Sequence, residues 1–278
     1  MRRLTAIALV AAAVACGTTR TPKAPAPAAD GGTAIRAAVA GPQRTAENRV
    51  RDGARHPVET LTFFGLRPEM TVIELWPGTG WYTEILAEVV RGKGKLIVAT
   101  PDPKSSNAYR AKGATEFRTK LATETAVFAG VDTATLEPGT PITLAQPNTA
   151  DLVLTFRNTH GWVGDGVEQD VYAAAFRALK PGGVFGVVQH RGMVGPDVQA
   201  SAKKGYVPEE HVIKVAESVG FKLDARSEVN ANPRDTHEHP DGVWSLPPTL
   251  RGGDKDRDTF IAIGESDRMT LRFVKPAA

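Results

Sequence analysis

Residues 70–81 read Met70-Thr71-Val72-Ile73-Glu74-Leu75-Trp76-Pro77-Gly78-Thr79-Gly80-Trp81, and this stretch decides the fold. A short apolar run with β-branched residues predicts a buried strand, and the turn around Gly78 and Gly80 ends it. The apolar spacing over residues 81–90 then predicts a helix. Strand, glycine turn and helix form the opening unit of a doubly wound α/β sheet.

Working outward, the same alternation recurs. Strands are expected at residues 95–100, 151–156, 184–189, 221–229 and 269–274, and helices at 106–122, 167–179 and 209–219. Pro208 marks one helix start and Gly220 its end. Upstream, residues 58–64 have helical spacing closed by Gly65. Between the second helix and residue 151 the pattern is too weak for an assignment. Strands separated by helices predict a mostly parallel sheet covered on both faces. The last two strands have no helix between them and predict an antiparallel pair at one edge.

At the N-terminus, Arg2 and Arg3 precede an apolar run shorter than the roughly 20 residues that span a bilayer. A charged start, a short apolar stretch and small residues before a break predict a secretory leader over residues 1–16. Ala13-Val14-Ala15-Cys16-Gly17 resembles a bacterial lipobox, which implies a lipid anchor at Cys16 and a periplasmic or membrane-anchored location. The alternative is an ordinary signal peptide cut nearby. Residues 17–45, rich in Ala, Pro, Thr and Gly, read as a flexible tether. Residues 46–278 then form one α/β domain with an insertion at about 230–266. Cys16 is the only cysteine, so the domain holds no disulfide. The net charge of +3 falls further once the leader's arginines are lost, and no basic stripe is present. A small molecule is therefore the expected partner, and nucleic acid is not.

Val72 to Gly80 resembles the first motif of the class I S-adenosylmethionine-dependent methyltransferases, an apolar strand with an acid before a glycine-rich turn. Ala178-Leu179-Lys180-Pro181-Gly182-Gly183-Val184 is similar to that family's turn into its fifth strand. The run from Glu74 to Tyr82, Arg157-Asn158-Thr159-His160 and Leu246-Pro247-Pro248 resemble an exported subfamily of methyltransferases assigned by prediction. The likeness covers roughly residues 59–274. It implies a Rossmann-like, doubly wound, mostly parallel seven-stranded sheet with an antiparallel edge strand, S-adenosylmethionine as cofactor and methyl transfer as the activity. It also implies that Gly78 and Gly80 let the backbone approach the cofactor's amino acid portion, where a Cβ would obstruct, with Glu74 beside them. Trp76 stands where the family has its first glycine. The family's ribose-binding acid aligns with Thr100, leaving Asp102 as a substitute, and its adenine-side acid aligns near Gly139.

Ligands of open α/β sheets bind beyond the carboxyl ends of the strands. Arg157, Asn158 and His160 follow the central strand, and His190 and Arg191 follow the next. His160 is the first candidate for a general base and His190 the second, because imidazole titrates near neutral pH. Arg157 and Arg191 suit a carboxylate or phosphate on the substrate. His237 and His239, with flanking carboxylates, are two of the three or four ligands a metal needs, so the reading is a polar loop without metal. That insertion, with Trp244 and Pro247-Pro248, is expected to fold over the cleft.

Two other functions compete with methyl transfer. One is a binding or sensing module that keeps the fold with a remodelled pocket, as Trp76 and Thr100 suggest. The other is different chemistry in the same pocket, with metal at His237 and His239. Fold alone does not choose among them.

Overall fold

The computed structural model describes residues 29–195 and 197–277. The leader, Cys16 and the first part of the expected tether lie outside the described residues. Four helices come first: α1 (Ala29–Ala40), α2 (Ala46–Arg49), α3 (Asp52–Arg55) and α4 (Pro57–Phe63). Then follow β1 (Thr71–Leu75), α5 (Thr83–Val90), β2 (Lys95–Thr100), α6 (Ala108–Thr123), α7 (Thr125–Phe128), β3 (Val131–Thr135) and β4 (Ala150–Phe156). The chain continues through α8 (Thr159–Asp165), α9 (Glu168–Ala178), β5 (Leu179–Gly192), α10 (Val198–Lys203), β6 (Val207–Pro208) and α11 (Glu209–Ser218). It ends with β7 (Lys222–Ser227), a 3-10 turn (Gly242–Ser245), α12 (Arg257–Ile263) and β8 (Arg268–Val274).

The main sheet runs in the order β3-β2-β1-β4-β5-β8-β7, and the two-residue β6 pairs with the end of β5. Strands β1 to β5 are mutually parallel, and β8 lies antiparallel between β5 and β7. This is the α/β sheet with an antiparallel edge pair that the sequence predicts. Both faces are covered, as an interior parallel strand requires. In β1, Ile73 and Leu75 enter one apolar cluster and Val72 enters the other, following the two-residue period of a strand. Glu74 shares the Val72 face, under α5.

One expectation needs correction, and one unassigned stretch is filled. The tether was expected to reach residue 45, but α1 is helical, and Ile35 and Ala38 within it are each 1% exposed. They join Leu61 and Phe64 of the α4 region in one cluster. Alanine and glycine dilute the apolar pattern of this stretch, yet two apolar side chains three residues apart share one helical face. The folded domain therefore starts by Ala29. The unassigned stretch contains β3, whose Val-Asp-Thr-Ala-Thr residues are mostly exposed at the sheet edge. Its main-chain ladder to β2 holds it, so no apolar alternation marks it.

The insertion before β8 is held by an internal hydrogen-bond network. Its centre is the buried Asp235 carboxylate, which accepts hydrogen bonds from Tyr206 Oη (3.0 Å), His239 Nε2 (2.8 Å) and the backbone N–H groups of His237 and Asp267. Asn232 Nδ2 donates to the carbonyls of Ile263 and Glu265, tying the two ends of the insertion together. Among the described residues no helix is long and apolar enough to cross a membrane.

Candidate active site

The strand order reverses between β1 and β4, and the chain leaves both strands at their carboxyl ends there. A cavity of about 990 Å³ opens at that point. Its wall includes Trp76, Gly78 and Thr79 after β1, Thr100 at the end of β2, Arg157, Asn158 and His160 after β4, and His190 of β5. Val243, Trp244 and Pro247 to Thr249 close one side, so the insertion does cover the cleft.

Trp76 keeps the left-handed backbone of a glycine, with φ at +45°. Its indole Nε1 donates to the Leu136 carbonyl at 2.9 Å, and its ring packs against Trp162 at 5.4 Å. The side chain is thus turned toward the end of β3 and α8, away from the glycine turn. Gly78, at φ +61°, has open space where a Cβ would stand. Gly80 serves a different need: a Cβ there would meet the Phe117 ring of α6 at 2.9 Å.

The other expected cofactor residues are less direct. Glu74 is buried, and Thr83 Oγ1 donates to its carboxylate at 2.6 Å. Burial raises its pKa to about 7, against the hydrogen bond from Thr83. It lines a smaller side cavity shared with Arg55, Gly78 and Arg157 rather than the main one. Asp102 does not line the cavity. Its carboxylate accepts from the Lys104 N–H at 2.7 Å and stabilises a turn. At the ribose position, Thr100 Oγ1 accepts from Arg118 Nε and Nη2 at 3.2 and 3.1 Å.

Asn158 changes role as well. Its Nδ2 donates to the carbonyls of Leu75 (2.8 Å) and Trp76 (3.1 Å), so it fastens β4 to the turn after β1. It is a positioning residue on the cavity wall. Arg191 does not line the cavity; it pairs with Glu228 (2.7 Å), Glu209 (3.5 Å) and Asp267 (3.7 Å).

His160 and His190 do converge, with ring centroids 5.8 Å apart. Burial pushes His160 down to about 4, opposed by its bond to Gln189 and assisted by Arg157. Burial likewise holds His190 well below the usual range, with His160 and Arg157 adding to the effect. Both are neutral at neutral pH. Gln189 Nε2, which also donates to the Gly205 carbonyl at 2.9 Å, lies 3.4 Å from His160 Nδ1. An amide nitrogen only donates, so His160 Nδ1 accepts and the imidazole proton sits on Nε2. In that tautomer His160 presents an N–H donor through Nε2. His190 Nδ1 contacts Ser266 Oγ at 2.5 Å, and a hydroxyl can donate or accept. His190 therefore retains the tautomer in which Nε2 takes a proton.

Around this pair lies a set of arginines, of which sequence reading singled out Arg157 but not Arg51 or Arg55. Arg51, Arg55 and Arg157 line the cavity, as does Glu265, the carboxylate nearest to them. Arg51 caps the start of α3 and Arg55 ends it, four residues on, a spacing that puts them on one side; this was the available signal. His237 and His239 face separate carboxylates, Asp267 at 3.6 Å and Asp235 at 2.8 Å. Among the described residues no group of three His, Cys, Asp or Glu side chains is placed to hold a metal.

The sheet order and a site at its switch point define a class I methyltransferase-like fold. Solved structures share it at low identity. A [4+2]-cyclase, SpnF, superposes with a TM-score of 0.55 and 15% identity over 90% of this chain and 94% of its own. A chain from the complex between a Haloferax volcanii methyltransferase activator and a candidate methyltransferase gives 0.52 and 14% over 87% and 97%. A candidate sarcosine dimethylglycine methyltransferase from Galdieria sulphuraria gives 0.50 and 13% over 83% and 85%. No protein-family model and no curated protein matches the chain in sequence. The cyclase among these neighbours is a reminder that this fold hosts more than one chemistry.

Proposed function

We propose that the chain is an S-adenosylmethionine-dependent methyltransferase with a small-molecule acceptor. The observation that carries this reading is the open Gly78 turn on the wall of a large cavity at the switch point of the sheet. The Trp76 ring leaves that turn clear, and no Cβ blocks approach to the backbone of Gly78 and Thr79. These backbone groups would hold the amino acid portion of the cofactor, with Thr100 and the edge of Trp76 toward its nucleoside. Bound there, S-adenosylmethionine supplies a methyl carbon on a sulfonium, open to in-line displacement. The volume, about 990 Å³, is at the upper end of ligand sites and leaves room for a second small molecule.

The chain's own contribution is mostly positional, as in-line transfer demands. Asn158 fixes the β1 turn against β4. Trp244 and the proline pair form one side of the cleft and would limit water's approach to it. His160, as a donor through Nε2, would orient the acceptor, and neutral His190 would take the acceptor's proton where it has one.

Calorimetric titration of the full chain with S-adenosylmethionine and S-adenosylhomocysteine tests this reading. Binding in the micromolar range, about −8 kcal/mol, is expected for both. Absence of binding by either at millimolar concentration overturns it, and the fold then serves another ligand.

A further inference from the structure

Three guanidiniums reach one carboxylate where α3 and the start of β8 meet, and a fourth, that of Arg157 after β4, lies near it unpaired. Glu265 takes Arg51 Nε at 2.7 Å, Arg268 Nη1 at 3.3 Å and Arg55 Nε only at 3.9 Å. Arg268 is otherwise satisfied, donating to the carbonyls of Ala54 at 2.8 Å and Ser266 at 3.1 Å. Arg55 is not: it is 2% exposed, stacks on the Trp81 ring at 4.5 Å, and its Nε and Nη1 have no hydrogen-bond partner. Arg157 sits at φ +65°, and among the described residues its side chain donates no hydrogen bond and forms no ion pair. Burial and the neighbouring cations hold both guanidiniums below their usual pKa range, as happens when positive charge lacks a partner. An uncompensated buried cation is strongly destabilising, and removing the charge would be the cheaper solution if only stability mattered.

We propose that Arg55 and Arg157, flanked by Arg51, form an oxyanion site that holds a carboxylate or phosphate of the methyl acceptor. Two guanidinium forks without hydrogen-bond partners match the paired oxygens of such groups. The oxyanion site stands on the geometry; its assignment to the acceptor rests on the methyltransferase reading. Bound anion also cancels the positive field on His190, to which Arg157, Arg268 and Arg55 contribute and which His160 adjoins. The base thereby gains proton affinity when the acceptor arrives.

The test is a titration of the full chain with inorganic phosphate and with acetate, followed by the histidine proton resonances, with and without S-adenosylhomocysteine. Saturable binding is expected, with the apparent pKa of His160 and His190 rising by about one unit. Arg55→Met and Arg157→Asn should each weaken phosphate binding by about ten-fold or more. Arg55→Met should melt no lower than the parent, because methionine keeps the packing on Trp81 and removes the unpaired charge; a purely structural arginine would give a lower melting temperature. Asparagine tolerates the left-handed backbone at position 157, so the second variant removes the guanidinium without adding backbone strain. Absence of saturation with either anion overturns the proposal. If phosphate and S-adenosylhomocysteine exclude each other, the arginines seat the cofactor's own carboxylate and the acceptor assignment falls. Phosphate binding without any S-adenosylhomocysteine binding supports the oxyanion site while overturning the methyltransferase reading.

Discussion

Trp76 holds a backbone conformation that costs an L-residue about 1–2 kcal/mol, so something in its side chain must return at least that much. The indole does so through its bond to the Leu136 carbonyl and its contact with Trp162. Truncating a well-packed tryptophan typically costs about 3–5 kcal/mol, which exceeds the relief of backbone strain. Trp76→Gly is therefore expected to lower the unfolding free energy by about 2 kcal/mol. Denaturant titration checks this, and a gain in stability would show that backbone strain dominates. Gly78 and Trp76 were legible because their spacing after a strand is local. Arg55 was not, since its importance lies in a shortage of counter-charge. That shortage depends on Glu265, which lies far along the chain, and on which guanidiniums Glu265 reaches. Asp102 was misread for a related reason: spacing placed it near the end of β2, but a local turn with Lys104 takes its carboxylate.

At the scale of elements, the central strands were legible because burial on both faces writes continuous apolar runs. Edges and caps of the fold leave weaker marks. β3 contributes ladder bonds rather than apolar side chains, and α1 buries only a narrow stripe. The α1 correction carries its own prediction. Ile35 packs in the cluster with Leu61 and Phe64, so Ile35→Ala should destabilise the domain by about 2–4 kcal/mol in denaturant unfolding. A tether in that position would leave the midpoint unchanged. The consequence for the site is direct. The α1 to α4 segment carries Arg51 and Arg55, so loosening its packing should disturb the arginine set before the sheet.

For the whole molecule, the buried histidine pair sets an acid limit. His160 has a folded pKa of about 4 against an ordinary 6.5, so the unfolded chain binds a proton between those values that the folded chain refuses. Stability consequently falls as pH drops below about 6.5, and the loss from His160 alone approaches roughly 3 kcal/mol by about pH 4. His190, also lowered, acts in the same direction. His211 and His237 oppose them: Glu168 and Asp267 raise these two, so their contribution is full below the unfolded value and fades as pH rises. Burial decides which pair dominates. His160 and His190 are enclosed, whereas His211 and His237 are only partly covered and their ion pairs are screened. The net slope should therefore be positive between about pH 4 and 6.5. His160→Gln should flatten that limb while leaving stability at pH 8 within about 1 kcal/mol of the parent. Denaturant midpoints across this range provide the measurement, and an unchanged limb in the variant would mean that His160 is hydrated and titrates normally. Phosphate adds a second arm: by cancelling the arginine field it should shift the limb of the parent to lower stability loss, and Arg157→Asn should need about ten-fold or more phosphate for the same shift.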